Sequence, residues 1–350
     1  MALSYRDRKN WKQVGMIVAL GVAIGLAYST LRMMVGVLPF SWAELENSAR
    51  TGGFIALCLG WFMTFIVYDT PGEVFRRMGF VKGWLLLELI SVLIIVVSMT
   101  VQRVITSLIW SDLSSLKYYF QVDILFDVLV AVLIFLLVTF IMQMRRLVGE
   151  GIMWSMITGR YHQPRRERRV YMFLDIRDST AIAEKLGDEK THAFISDVFF
   201  IADRLVSEHR GEVLSYNGDE LVASWHEDVG LEDSRCLSCY QDIIKAMAAN
   251  SDHYQKTYGT TPEFWVGFHV GDVVVGECGD GKLAIVHIGD TPNTAARLEH
   301  HAKDIGRACL ASSTLIERLT LPDTISAEPI GSVTLKGHSH DTDIFAIELT

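Results

Sequence analysis

Two acidic residues carry the strongest chemical signal in this 350-residue chain. Asp175 lies in an apolar run at 170–176, and Asp219 follows the dipeptide Asn217-Gly218 between two further apolar runs, 212–216 and 221–225. Asn-Gly between apolar runs marks a tight β-hairpin. If the first run is a strand beside that hairpin, the two acids converge. Paired carboxylates next to a backbone carbonyl suit Mg²⁺ or Mn²⁺, hard cations that prefer oxygen ligands and leave positions open for phosphates. A lone Asp at a hairpin tip is ordinarily a turn former; it is the pair that points to a metal.

Other candidates read as structural. Cys236-Leu-Ser-Cys239 has redox or metal spacing, but it has no second pair and falls in a helical pattern. His338-Ser-His340 and His300-His301 lack a Cys or carboxylate cluster at zinc-ligand spacing. Gly279-Asp-Gly-Lys282 has neither the spacing nor the following Ser/Thr of a phosphate loop and reads as a turn.

The elements that must hold the acids follow from periodicity. The pattern predicts a buried strand at 170–176, a long helix over 179–209, the Asn-Gly hairpin, and a second helix over 231–258. Paired strands at 264–270 and 273–278 come next, then a strand at 283–288, a helix from Thr291 to about Lys303, and a closing strand at 343–349. Strand, helix, hairpin, helix and strand give an α+β fold of ferredoxin-like type with a mainly antiparallel sheet.

Three segments on that framework carry a resemblance. Phe173-Leu-Asp-Ile-Arg-Asp-Ser-Thr180, Asn217-Gly-Asp219 and Asn293-Thr-Ala-Ala-Arg-Leu-Glu299 resemble, in order and spacing, the signature segments of the class III nucleotide (adenylate/guanylate) cyclases. The resemblance covers residues 169–350. It implies a homodimer with catalytic sites at the interface and two metal ions, Mg²⁺ or Mn²⁺, per site. By position, Asp175, Asp219 and the carbonyl of Ile176 would hold the metals. Asn293 and Arg297, from the partner subunit, would orient the ribose and stabilise charge at the α-phosphate. Lys336, and with it Lys282, match positions that contact the β- and γ-phosphates.

The resemblance weakens at the base. Purine-selecting members carry a Lys or Glu where this chain has Ser215, and an Asp, Thr or Cys where it has Val286. ATP is the substrate the family implies first, with GTP or a pyrimidine nucleotide as alternatives; His287 beside Val286 is a further hydrogen-bonding candidate. Asn217-Gly-Asp-Glu-Leu221 also resembles the hairpin of diguanylate cyclases, although that family's first Gly is missing and it has no counterpart of Asn293 and Arg297. A catalytically degenerate nucleotide-binding membrane sensor is the reading outside the enzymes.

The rest of the chain is of another kind. Half of all residues are apolar and the mean hydropathy is +0.27. Residues 1–144 hold 11 Lys/Arg against 9 Asp/Glu, leaving 21 against 32 for the remainder. An apolar region followed by an acidic domain argues against a secreted disulfide scaffold, a disordered chain or a wholly cytosolic enzyme. The net charge of −9, with no long basic run, argues against binding nucleic acid.

Stretches at 14–31, 52–68, 84–102 and 124–144 are long and apolar enough to span a bilayer, which predicts an all-α four-helix transmembrane domain. The first is no cleavable signal peptide, lacking a small-residue cleavage site and preceding three similar segments. Lys and Arg concentrate before the first stretch, between the second and third, and after the fourth. That places both termini on the cytoplasmic side of the cell (inner) membrane. The four cysteines after residue 144 then lie where thiols stay reduced. The outer loops, roughly twenty residues each, leave no room for a folded sensor domain.

Glu88 and Asp127 lie inside spans in opposite leaflets, so they are expected to snorkel or bond to neighbouring helices rather than to each other. Asp123, four before Asp127, would complete an outer-face cation or pH site as the alternative. Gly21 and Gly25 permit close helix packing. A connecting segment at 145–168, interrupted by Pro164 and ending in the basic run 165–169, would couple the domains or lie on acidic lipid.

Overall fold

In the computed structural model, residues 5–36, 40–67, 80–110, 124–148, 155, 158–281, 283–333 and 342–349 are described. The chain divides into two compact units, Met1–Leu147 and Val148–Thr350.

The first unit contains helices α1 (Tyr5–Met34), α2 (Trp42–Trp61, continued by a π-turn at Phe62–Val67), α3 (Phe80–Trp110) and α4 (Ile124–Val148). Two stretches, Trp11–Met34 and Lys82–Gln102, are long and apolar enough to cross a membrane, and Asp127–Ile141 is a shorter apolar stretch. The Gly21/Gly25 spacing acts within this unit. A Cβ on Gly21 would meet Ala56 and the Gly52 carbonyl, and one on Gly25 would meet the Ser48 carbonyl, so α1 and α2 pack backbone to backbone.

Helix α3 has its polar residues inside. Glu88, Ser91, Ser98 and Gln102 recur at helical spacing and are buried, while Leu85, Leu89, Leu93 and Val97 on other faces are exposed. Glu88 accepts a hydrogen bond from Thr139 on α4 (2.5 Å), and the Gln102 side-chain amide donates to Asn47 on α2 (3.1 Å). Asp127 accepts from the Tyr28 hydroxyl (2.7 Å) and pairs with Arg32 (3.3 Å), both on α1. Both intrahelical acids therefore bond to neighbouring helices, as expected; Asp123 lies outside the described residues.

The second unit is built on β1 (Arg165–Ile176), α5 (Ser179–Leu186), α6 (Asp188–Glu208), β2 (Glu212–Asn217), β3 (Glu220–His226), α7 (Arg235–Ala249) and α8 (Ser251–Tyr258). It continues through β4 (Phe264–Cys278), β5 (Ala284–Ile288), α9 (Asp290–Ile305), β6 (Cys309–Ser312), β7 (Ile325–Val333) and β8 (Thr342–Leu349). The sheet runs β2-β3-β1-β4-β6-β8-β7, with β5 beside β4. The order β2-β3-β1-β4, with α6 and α7 in the connections, is the ferredoxin-like core. Only β4 and β6 are parallel among the described pairs.

Alternation along β1 sorts the layers. Val170, Met172, Leu174 and Ile176 point into the core under α6 and α7, where Phe194, Val198, Ile243 and Trp225 pack. Cys236 and Cys239 are buried in this same core, burial pushing the Cys236 thiol up to about 12, so the Cys-x-x-Cys spacing is structural. Arg169, Tyr171, Phe173 and Asp175 take the opposite face.

Four expectations change. The expected helix over 231–258 is two helices, α7 and α8, parted at Asn250. The apolar runs at 264–270 and 273–278 are not paired strands but one strand, because β4 pairs with β1 without a break from Phe264 to Val275. The expected helix over 179–209 breaks at Gly187, whose φ of +76° no helix accommodates. The basic run 165–169 is paired strand. Arg169, 2% exposed, donates to Glu167, Glu212 and Ser224 at 2.9 Å each and to the Tyr161 hydroxyl at 3.1 Å. A fully bonded buried guanidinium of this kind ties the end of β1 to β2, β3 and Tyr161.

Helix α9 lies on the Asp175 face of the sheet, and two glycines of β4 set its height. A Cβ on Gly267 would run into the Ala295 carbonyl and the Glu299 amide, and one on Gly271 into the Thr291 side chain. Thr291 Oγ1 also donates to the Asp272 carbonyl at 2.6 Å. Gly267→Val is therefore expected to destabilise the protein by about 3 kcal/mol or more, because neither colliding group is a flexible side-chain end. Denaturant unfolding of the full chain, followed at the second unit's transition, checks this.

Candidate active site

Asp175 sits at the end of β1 between Glu220 on β3 and Trp265 on β4. The β2–β3 hairpin turns through Gly218, whose φ of +70° glycine adopts without strain. That turn delivers Asp219 to the end of β1, where its carbonyl accepts the Ile176 N–H at 3.2 Å. The carboxyls of Asp175 and Asp219 are close enough for the charge of one to act on the other. Asp219 also accepts from the hydroxyl of Ser179, the first residue of α5.

Burial, then the charges of Asp219 and Glu299, push the Asp175 carboxyl up to about 7. Glu299 is buried and its own carboxyl is raised by burial. It accepts from His300 at 2.8 Å if that ring is protonated at Nδ1. Two crowded acids in partial burial are a costly arrangement that a divalent cation relieves, so this donor set fits Mg²⁺ or Mn²⁺. No group of three or more His, Cys, Asp or Glu suited to a metal occurs among the described residues.

The other sequence-derived residues do not join this pair within one chain. Asn293 and Arg297 lie on α9 with Thr291, Ala295 and Glu299 buried between the helix and the sheet. Asn293 is exposed, its side-chain amide bonded back to the Gly289 carbonyl at 3.2 Å. Arg297 faces Asp290 at 3.7 Å. No ion pair or hydrogen bond links either to Asp175 or Asp219 among the described residues. Lys282 and Lys336 lie outside the described residues, as do His338 and His340.

At the base-selecting positions, Ser215 pairs with Val222 across the hairpin and its hydroxyl oxygen accepts from Asn217 at 3.4 Å. Val286 stands opposite Gly276 on β4. His287, one residue on, is bonded through Nδ1 to the Tyr171 hydroxyl at 2.6 Å, and burial lowers its imidazole to about 4. Sequence reasoning missed Ser179 and Glu299 as neighbours of the acid pair. An acid on the helix face that also carries Ala295 was the available signal for Glu299.

A raised Asp175 pKa means the folded protein holds a proton that the unfolded chain releases near pH 4. Stability from this group is present at low pH and lost as pH rises through about 7. Asp175→Asn is therefore expected to raise the metal-free melting temperature at pH 8, with the gain shrinking towards pH 4. A pH series of melting temperatures for both proteins measures it.

The family described as the adenylate and guanylate cyclase catalytic domain matches residues 162–348. Adenylate cyclase 2 of Rhizobium meliloti (strain 1021) is 33% identical over 210 residues, covering 60% of this chain and 58% of that one. Adenylate cyclase 1 of the same organism is 31% identical over 211 residues, covering 58% and 30%. The chain thus spans just over half of the first relative's length and under a third of the second's. A bacterial light-regulated adenylyl cyclase shares the fold, with a TM-score of 0.55 at 18% identity over 65% of this chain and 66% of that structure. This chain belongs to the adenylate and guanylate cyclase catalytic-domain family.

Proposed function

We propose that the protein is a membrane-anchored adenylate cyclase, working as a homodimer that converts ATP into 3′,5′-cyclic AMP and pyrophosphate. The observation that carries this reading is the setting of α9. Its Thr291–Ala295–Glu299 face is held against β4, so Asn293 and Arg297 are presented away from the chain's own Asp175 and Asp219. A second copy would complete each site.

Asp175, Asp219 and the Ile176 carbonyl would hold two Mg²⁺ or Mn²⁺ ions, which supply activation of the ribose 3′-hydroxyl and neutralisation of the triphosphate. Asn293 of the second copy orients the ribose, so that O3′ lies in line with the α-phosphorus. As the O3′–Pα bond forms and the bond to the pyrophosphate oxygen breaks, Arg297 balances the charge developing on the α-phosphate. Lys336 and Lys282 are proposed partners of the leaving phosphates. Names of the relatives support adenine; the substitution of Ser215 and Val286 at the selecting positions keeps another base, GTP or a pyrimidine nucleotide, as the second reading.

The inverted character of α3, with Glu88, Ser91, Ser98 and Gln102 buried and Leu85, Leu89, Leu93 and Val97 exposed, supports a four-helix bundle in lipid. Leu129, Leu133, Leu137 and Phe140 on α4 are exposed in the same way. The Lys/Arg distribution supports termini on the cytoplasmic side, where ATP is available.

Purified full chain incubated with Mn²⁺ and each of four nucleoside triphosphates in turn tests the proposal. Cyclic AMP from ATP is the expected product. Asp175→Ala is expected to abolish it, and Arg297→Ala to lower kcat by about 10²- to 10³-fold. Triphosphate binding without any cyclic product would replace the enzyme with a nucleotide-binding module.

A further inference from the structure

The β4–β5 ladder separates the two neighbouring candidates for base recognition. Val275 pairs with His287, and Gly276 pairs with Val286. Val275 is buried with Tyr171, Val273 and Ala295 on the face that carries α9 and Asp175. His287 takes the same pleat and reaches Tyr171, its ring edge-on at 5.9 Å. Val286 takes the opposite pleat. On that side a Cβ at Gly276 would meet Pro164, which shows what lies there. Ser215, opposite Val222, shares its face with Ser224, whose hydroxyl bonds Arg169 on the same face as Tyr171. Leu214, beside Ser215 on β2, and Ile285 on β5 pack against the same buried cluster as Tyr171, which brings β2 and β5 to one patch of this face.

The hydrogen bonding at His287 fixes its polarity. Tyr171 is fully buried, and its hydroxyl makes one hydrogen bond among the described residues, to His287 Nδ1. The phenol proton has no other acceptor there, so Tyr171 donates to Nδ1 and the neutral imidazole carries its own proton on Nε2. Burial and the nearby Arg169 charge keep the ring neutral at physiological pH. Nε2–H has no partner among the described residues.

We propose that His287, rather than Val286, is the specificity-determining residue of β5, donating Nε2–H to a ring-nitrogen acceptor of the base, N1 of adenine, beside the Ser215 hydroxyl. This rests on the nucleotide-cyclase reading and deepens it. Tyr171 is the positioning residue, because its hydroxyl selects the tautomer. Ser215, whose hydroxyl oxygen accepts only a long bond from Asn217, keeps a lone pair for the adenine 6-amino group.

The test compares kcat and KM for ATP, GTP, CTP and UTP in the full-length wild type, His287→Ala, His287→Gln and Val286→Ala. His287→Ala is expected to raise KM for ATP about tenfold, as loss of a single hydrogen bond does. Its kcat should stay within about twofold, and its preference for ATP should fall. Gln, which restores a donor, should recover most of the preference, and Val286→Ala should leave the nucleotide ratios unchanged. An unchanged ATP preference in His287→Ala, or a shift produced by Val286→Ala instead, overturns the assignment. So does a wild type that prefers GTP to ATP. A wild type that cyclises none of the four overturns the cyclase reading as well, which separates the two failures. Loss of folding in His287→Ala leaves the Gln and Val286 variants to decide.

Discussion

The backbone-to-backbone approach of α9 and β4 is the constraint on which the catalytic unit depends. Gly267 and Gly271 are four apart on one face of a strand, and Thr291, Ala295 and Glu299 repeat every four residues on the helix above. Two repeats of four at different rise keep step for only two contacts, enough to fix the helix at one height and one rotation. Everything else on α9 follows from that rotation. The buried face closes the sheet, Glu299 comes within electrostatic reach of Asp175, Asn293 is left exposed, and Arg297, half-buried, is left facing Asp290.

Electrostatics then gives the site its character. Asp175 and Asp219 are brought together by backbone bonds at the strand end and the hairpin, which hold regardless of charge state. The protein therefore bears the repulsion of the pair, which adds to burial in raising the Asp175 carboxyl. The first unit handles polarity by the opposite route. There the buried Glu88 and Gln102 are each bonded across to another helix, and Asp127 is met by Tyr28 and Arg32. In a helical unit with exposed leucines, such bonds supply packing specificity that apolar contact alone does not.

Much of this was legible in the sequence where a local signal and a periodic one agreed. Asn217-Gly218 announced the hairpin, the apolar run before Asp175 announced β1, and the α9 segment carried helical spacing. The reading failed where local chemistry competed with long-range pairing. Gly271-Asp272 looks like a turn, yet continuous pairing with β1 keeps β4 straight through it, the glycine serving the helix above. Arg165–Arg169 looks like a surface patch, yet Arg169 is buried because the distant Glu212 and Ser224 join the nearby Glu167 and Tyr161 around it. The short β6 and the weakly patterned β7 were not anticipated, since each is specified by its neighbours in the sheet. The Tyr171–His287 bond, 116 residues apart, has no sequence signature at all.

The central claim is that each site takes its acids from one subunit and its Asn293 and Arg297 from the other. Co-expression of Asp219→Ala and Arg297→Ala chains under different affinity tags tests this most directly. Asp219→Ala alone is expected to be inactive, and Arg297→Ala alone to keep about 1% of wild-type activity or less. Random pairing makes about half the dimers mixed, each with one intact site of two, so the mixture should recover about a quarter of wild-type activity. Mixed dimers captured through both tags that remain inactive would contradict the account.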